Sequence, residues 1–114
     1  MITVLKAKIS YGKLTHTELL YEGSITLDED VMDAVGIRDN EQVHVVNLNN
    51  GERLITYAIA GARGSGVFGL NGPAARLGMV GDEIHVLAYA TQPDTDPIAP
   101  KIVDFRFFKK EVTR

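Results

Sequence analysis

The stretch Val43-His44-Val45-Val46-Asn47-Leu48-Asn49-Asn50-Gly51-Glu52-Arg53-Leu54-Ile55-Thr56-Tyr57-Ala58-Ile59 decides the fold. Two runs rich in β-branched and aliphatic side chains, 43–48 and 53–59, flank Asn49-Asn50-Gly51. Asn-Gly supplies the positive φ angles of a tight hairpin, so the stretch reads as two antiparallel strands. Outward from it, residues 3–9 alternate with period two and set Lys6 and Lys8 on one presented face. Residues 19–27 read as an extended segment interrupted by Gly23-Ser24, the mark of a bulge or a close backbone approach. Residues 67–70, 83–89 and 102–108 read as further strands, and Pro93, Pro97 and Pro100 mark a surface excursion between the last two. One helix is firm, Glu29–Val35. Asp28 is its N-cap, Val31, Met32 and Val35 form its apolar stripe, and Gly36 takes the left-handed C-terminal conformation.

At 114 residues, 45% hydrophobic and 24% charged, the chain has the composition of an ordinary globular protein, with a single domain over 1–114 as the natural count. Six or more strands in this length predict a mainly β fold, a small closed or nearly closed barrel with one or two short helices, because closure removes exposed edges. Phe105, Phe107 and Phe108 near the end are candidates to cover a partner subunit. The absence of Cys excludes a disulfide framework, a thiolate metal site and a cysteine nucleophile, and fits a reducing compartment. No apolar run approaches the ~18 residues of a spanning helix, and the first residues do not pattern as a signal peptide. A cytoplasmic protein with no membrane partner is expected. A net charge of −3, with no basic run longer than Lys109-Lys110, argues against a nucleic-acid partner.

Several patterns that suggest chemistry carry little. Gly64-Ser65-Gly66-Val67-Phe68-Gly69 spells a dinucleotide fingerprint, but Gly72-Pro73 follows at once and no βαβ unit of ~30 residues fits around it, so a glycine-shaped turn is expected. His16, His44 and His85 form no close metal-ligand pair, and no metal is expected. No Gly-x-Ser-x-Gly nucleophile elbow occurs. Gly23-Ser24 is different in kind. A serine after a glycine can attack the preceding carbonyl when the turn is strained, giving an ester whose elimination cuts the chain. The new terminal dehydroalanine then hydrolyses to a pyruvoyl group.

Context sharpens that possibility. The run Tyr21-Glu22-Gly23-Ser24-Ile25-Thr26-Leu27-Asp28 resembles the self-processing site of the pyruvoyl-dependent bacterial aspartate 1-decarboxylases. The resemblance continues in register through Asn47 to Tyr57, Arg63-Gly64-Ser65, Leu70-Asn71-Gly72-Pro73-Ala74-Ala75-Arg76 and Val80-Gly81-Asp82, covering roughly residues 1–90. It implies a double-psi β-barrel and cleavage between Gly23 and Ser24 into chains 1–23 and 24–114. Ser24 would become a covalent pyruvoyl cofactor that joins the substrate amine as an imine and accepts the electrons released by decarboxylation, with neither pyridoxal phosphate nor metal. It implies L-aspartate as substrate, β-alanine and carbon dioxide as products for pantothenate and coenzyme A synthesis, and a homotetramer with sites between neighbouring subunits. By position, Thr56 would stabilise the processing oxyanion and Tyr57 would donate the proton. Lys8 and Arg53 would bind substrate carboxylate, and Tyr21, Asn71, Gly72 and Ala74 would line the site. Cleavage is left either spontaneous or assisted by a maturation factor.

Two departures bear on the transfer. The family commonly carries Lys-x-His near the N-terminus where this chain has Lys8-Ile9-Ser10, and serine cannot titrate near neutral pH. The common Asn-Gly-Ala-Ala is here Asn71-Gly72-Pro73-Ala74, which removes one amide donor and stiffens the wall of the pocket. These departures sustain the alternative of a non-catalytic small-barrel binding or assembly module that has lost the chemistry.

Overall fold

The computed structural model describes residues 1–19 and 23–112, with side chains described through Phe108. In chain order its elements are β1 (Ile2–Lys13), β2 (His16–Glu18), β3 (Ile25–Asp28), α1 (Glu29–Val35), β4 (Gln42–Asn47), β5 (Arg53–Gly61) and β6 (Phe68–Asn71). A short 3-10 helix (Gly72–Leu77), β7 (Glu83–Gln92), β8 (Lys101–Asp104) and α2 (Phe105–Val112) follow. The strands lie in the order β2-β6-β3-β5-β4-β7-β1-β8. Only Leu14 and Thr15 separate β1 from β2, although six strand steps part them in that order, so the sheet must curl back on itself. Thr15 seals the return by donating its backbone N–H to Phe68 O at 2.8 Å. Three pairings are parallel, β3 with β5, β2 with β6 and β1 with β8, and the rest are antiparallel.

The core follows from period-two alternation. Ile25 and Leu27, Val43 and Val45, and Ile84, Val86 and Ala88 point inward with Phe68, and all are essentially buried. α1 packs Val31, Met32 and Val35 against them. Its caps are those expected: Asp28 Oδ1 accepts the Asp30 N–H at 2.9 Å, and Gly36 stands at φ 77. The glycine-rich stretch is a turn leading into β6. Gly64 and Gly66 donate their N–H groups to the same Asp28 carboxylate at 3.1 and 2.8 Å, so an internal anion occupies the amides that a pyrophosphate would need.

The structure corrects three local expectations. The hairpin between β4 and β5 forms, but its closing pair is Asn47 and Glu52, and only Gly51 of the loop takes positive φ, at 77. The Asn47 side chain organises this wider turn by accepting the Asn49 and Asn50 N–H groups. The extended segment expected at 19–27 is instead β2, ending at Glu18, and β3, beginning at Ile25; Leu20, Tyr21 and Glu22 lie outside the described residues. The strand expected at 102–108 stops at Asp104, whose carboxylate accepts the Arg106 N–H at 3.0 Å and starts α2. Phe105 then meets Phe68 edge-on at 4.8 Å and Phe108 stacks on Phe105 at 6.2 Å, so these two rings cover the chain's own core and Phe107 alone of the three is well exposed.

Candidate active site

The site grows from the place where β3 begins. β3 pairs with β5 from Ile25 opposite Ala58 onward, in parallel. Carrying that register back along the chain brings Ser24 and Gly23 alongside Tyr57 and Thr56. The edge of β5 from Leu54 to Tyr57 is therefore not laddered to β3, and a cleft of about 440 Å³ opens there, lined by Gly23, Leu54, Ile55, Thr56, Tyr57, Pro73, Ala74 and Leu77. Gly23 stands at φ 141 and Ser24 at φ 121. The second angle is one that a side chain disfavours, and it persists only where the surroundings over-determine it. They do so here. Ser24 is fully buried, its carbonyl accepts the Asn71 N–H at 3.0 Å, and its Oγ accepts the Asn71 side-chain amide at 2.9 Å.

Asn71 ends β6 and is itself 8% exposed. Its side-chain nitrogen also donates to Thr26 Oγ1 at 2.9 Å. Gly72 opens the 3-10 helix at φ 67, which suits glycine, and Pro73 occupies the first turn, where a missing N–H costs nothing. Ala74 faces the cleft. A pyruvoyl group at position 24 fits these surroundings, because the backbone carbonyl it retains already accepts the Asn71 N–H and a glycine borders the cleft on the side of the cut.

Neither cationic candidate lines the cleft, although Arg53 shares a face of β5 with Ile55 and Tyr57, which do. Arg53 is exposed on the outer face, its Nη1 3.4 Å from His44 Nδ1. Lys8 lies on the same face, in a cross-strand row running Ile55, His44, Leu87, Lys8, Ile102. β1 is three strand steps from β5, about 14 Å at the usual strand spacing. One chain thus gathers Gly23, Ser24, Thr56, Tyr57, Asn71, Gly72 and Ala74, while Lys8 remains well away from them. Tyr21 falls outside the described residues.

Sequence reading missed two neighbours of these groups. Thr26 shares the face of Ser24 two residues on, which period-two alternation alone could have indicated. His85 stands opposite the register slip at Ser10-Tyr11, where the Tyr11 N–H reaches His85 Nδ1 at 3.1 Å. Burial first, and then Lys8, hold the His85 pKa below its usual value. An imidazole therefore stands beside Lys8 after all, contributed by β7, while Ser10 turns its hydroxyl to Val103 O at 3.4 Å. Only the strand register, which sequence did not supply, could have shown this. Among the described residues no group of three or more His, Asp or Glu side chains is placed to hold a metal ion, and no helix is long and apolar enough to cross a membrane.

In fold, the chain is similar to the rationally designed double-psi β-barrel protein mkDPBB_sym_86, with a TM-score of 0.51 and 16% identity over 68% of this chain and 90% of that one. In sequence, it is 51% identical over 107 residues to the aspartate 1-decarboxylase of Coxiella burnetii, covering 93% of this chain and 96% of that protein. It is 50% identical to that of Francisella tularensis subsp. holarctica with the same coverage, and 52% identical to that of Caldicellulosiruptor saccharolyticus over 90% of this chain and 82% of the relative. Residues 1–109 match the profile described as aspartate decarboxylase, and the chain belongs to that family.

Proposed function

We propose that the protein is an aspartate 1-decarboxylase that converts L-aspartate to β-alanine and carbon dioxide for pantothenate synthesis, after cutting itself between Gly23 and Ser24. The observation that carries this reading is the buried, positive-φ Ser24 joined to Gly23 at the lip of the cleft, with an amide donor on its Oγ. Thr56 comes alongside Gly23 when the β3–β5 register is extended, a position suited to stabilising the oxyanion on the Gly23 carbonyl. The cut yields chains 1–23 and 24–114.

The pyruvoyl carbonyl left at position 24 supplies an electron sink for the pair released when the α-carboxylate departs. Arg53 holds the distal carboxylate through its planar fork, which leaves the α-carboxylate free to go. Tyr57, which lines the cleft, protonates the carbon vacated by carbon dioxide. Asn71, Gly72 and Ala74 shape the wall, and Tyr21 completes it.

Lys8 acts across a subunit boundary in a homotetramer. Its distance from β5 within one chain supports that arrangement, as do Ile55, Tyr57, Tyr89 and Ile102, which leave 36–58% of their surface exposed on or beside the face that carries Lys8. The reaction is assigned to the cytoplasm, and the cut is spontaneous or assisted by a maturation factor. Intact-mass analysis of wild type and Ser24→Ala tests the proposal. Wild type separates into two fragments, and borohydride with aspartate leaves a covalent adduct on the larger one. Ser24→Ala stays whole and releases no carbon dioxide. Carbon dioxide release by Ser24→Ala, or a wild-type chain that neither cleaves nor traps aspartate, refutes it.

A further inference from the structure

We propose that Thr26 is a positioning residue for self-cleavage at Ser24, acting through the Asn71 amide; the inference rests on the self-processing reading above. An asparagine amide carries two hydrogens, and the two acceptors of Asn71 Nδ2 are Ser24 Oγ and Thr26 Oγ1, each at 2.9 Å. The oxygen and nitrogen ends of the amide have nearly the same shape, so the acceptors around it decide which end faces the serine. Thr26 Oγ1 accepts the second N–H of the NH₂ end and so helps hold that end toward Ser24. Its own orientation is fixed by packing. The β-branched side chain is stiff at χ1, and its Cγ2 fills the space over Gly61, where a Cβ would come within 2.8 Å. Backbone pairing to Ile59 on one side and Gly69 on the other locks the strand around it.

The chemistry gives this arrangement a use. In the acyl shift, Ser24 Oγ bonds to the Gly23 carbonyl carbon, the Gly23–Ser24 C–N bond breaks, and the hydroxyl proton passes to the released nitrogen. In the elimination, water or hydroxide removes the Ser24 Cα proton and the Cα–Cβ double bond forms. The Cβ–Oγ bond breaks with its electron pair on Oγ, which leaves as a carboxylate oxygen of Gly23. Charge therefore develops on the atom at which Asn71 donates, and an N–H aimed there favours the step. The amide oxygen in its place would oppose it.

Thr26→Val keeps the shape and the methyl group and removes the acceptor; Thr26→Ser keeps the acceptor. In intact-mass time courses on freshly synthesised full-length chain, T26V slows cleavage about three- to tenfold, the effect of one neutral hydrogen bond. It accumulates the ester, which hydroxylamine cuts after Gly23, whereas T26S cleaves at close to the wild-type rate. Asn71→Ala is slower still, and adding T26V to it changes nothing further, because both act through one amide. Melting curves identify any variant slowed by misfolding, and T26S with the hydroxylamine yield per folded chain then decides. A T26V rate equal to wild type, or additive slowing in the double variant, overturns the role of Thr26 while self-processing stands. A wild-type chain that never cleaves overturns both.

Discussion

Replacing Asp28 by Ala removes one carboxylate that three backbone N–H groups share, from Asp30, Gly64 and Gly66, at 2.9, 3.1 and 2.8 Å. Asp28 is 2% exposed, so water does not simply take its place. The lost N-cap of α1 costs about 1 kcal/mol. The Gly66 N–H, left buried without a partner, costs about 1–2 kcal/mol, and the Gly64 N–H, nearer to water, about 0.5 kcal/mol. The sum is about 3 kcal/mol, which in a domain of this size lowers the melting temperature by about 12 °C. Asp28→Asn retains one acceptor oxygen and loses about half as much. Thermal unfolding of wild type and both variants at one protein concentration measures the loss, and amide hydrogen exchange locates it. In Asp28→Ala the Gly64 and Gly66 amides exchange faster, while those of the β1–β7 ladder keep their relative protection. A loss below about 1 kcal/mol, or unchanged exchange at both glycines, refutes the assignment of the glycine-rich turn to an internal anion.

Three further outcomes are expected. Gly12→Ala puts a Cβ 2.5 Å from Cε2 of the fully buried Phe68 ring, which Phe105 also holds edge-on, so it lowers stability by about 1–3 kcal/mol in denaturant titrations. His85 has its pKa held down by burial and by Lys8, with Asp104 and Glu83 opposing and Tyr11 donating to its ring. The unfolded chain therefore takes up the proton first, and His85 contributes stability above pH 6.5 that is lost as pH falls through its folded pKa. Melting curves across that window show a steeper decline for wild type than for His85→Gln, and parallel declines contradict the assignment. Finally, Lys8→Ala and Arg53→Ala are each poorly active alone, yet mixed subunits regain activity at about one quarter of their sites if the two residues meet across a subunit boundary. No regain places both in one subunit's site.

The parts of the molecule legible in the sequence are those set by local chemistry. Asp28 and Gly36 bracket α1 because capping depends on a carboxylate and on a residue free to adopt φ 77, both visible in the letters. The strands at 43–48 and 53–59 were legible from alternation, but the width of their turn was not, since it depends on Asn47, at the end of β4, bonding two loop amides. The run from Ile102 to Phe108 misled because aromatic residues crowded together satisfy a strand period and a helical i, i+3 spacing equally. Asp104 was the overlooked helix-start signal. At the site, Gly23-Ser24 and its in-register neighbours were legible by resemblance. His85 was not, because it nears Lys8 only through the register of β1 on β7, which sets it diagonally across from Lys8 and which no local pattern encodes.

The unusual backbone at Ser24 links the fold to the proposed cleavage. A non-glycine residue at φ 121 costs about 1–3 kcal/mol relative to an ordinary extended angle. An isolated loop would relax it; this one cannot, because the Ser24 carbonyl is tied to Asn71 and the next residues are laddered to β5 and β6. The strain falls on the residue whose N-terminal peptide bond would break in the proposed cleavage. Once that bond is cut, the constraint from Gly23 disappears while the ladder from Ile25 onward remains. The barrel thus makes the uncut chain less favourable at one position without depending on that bond for its own integrity, since β3 is held by neighbours on both sides. Pairing of β3 on both sides would therefore let the chain undergo the proposed cut at a strained residue and stay folded.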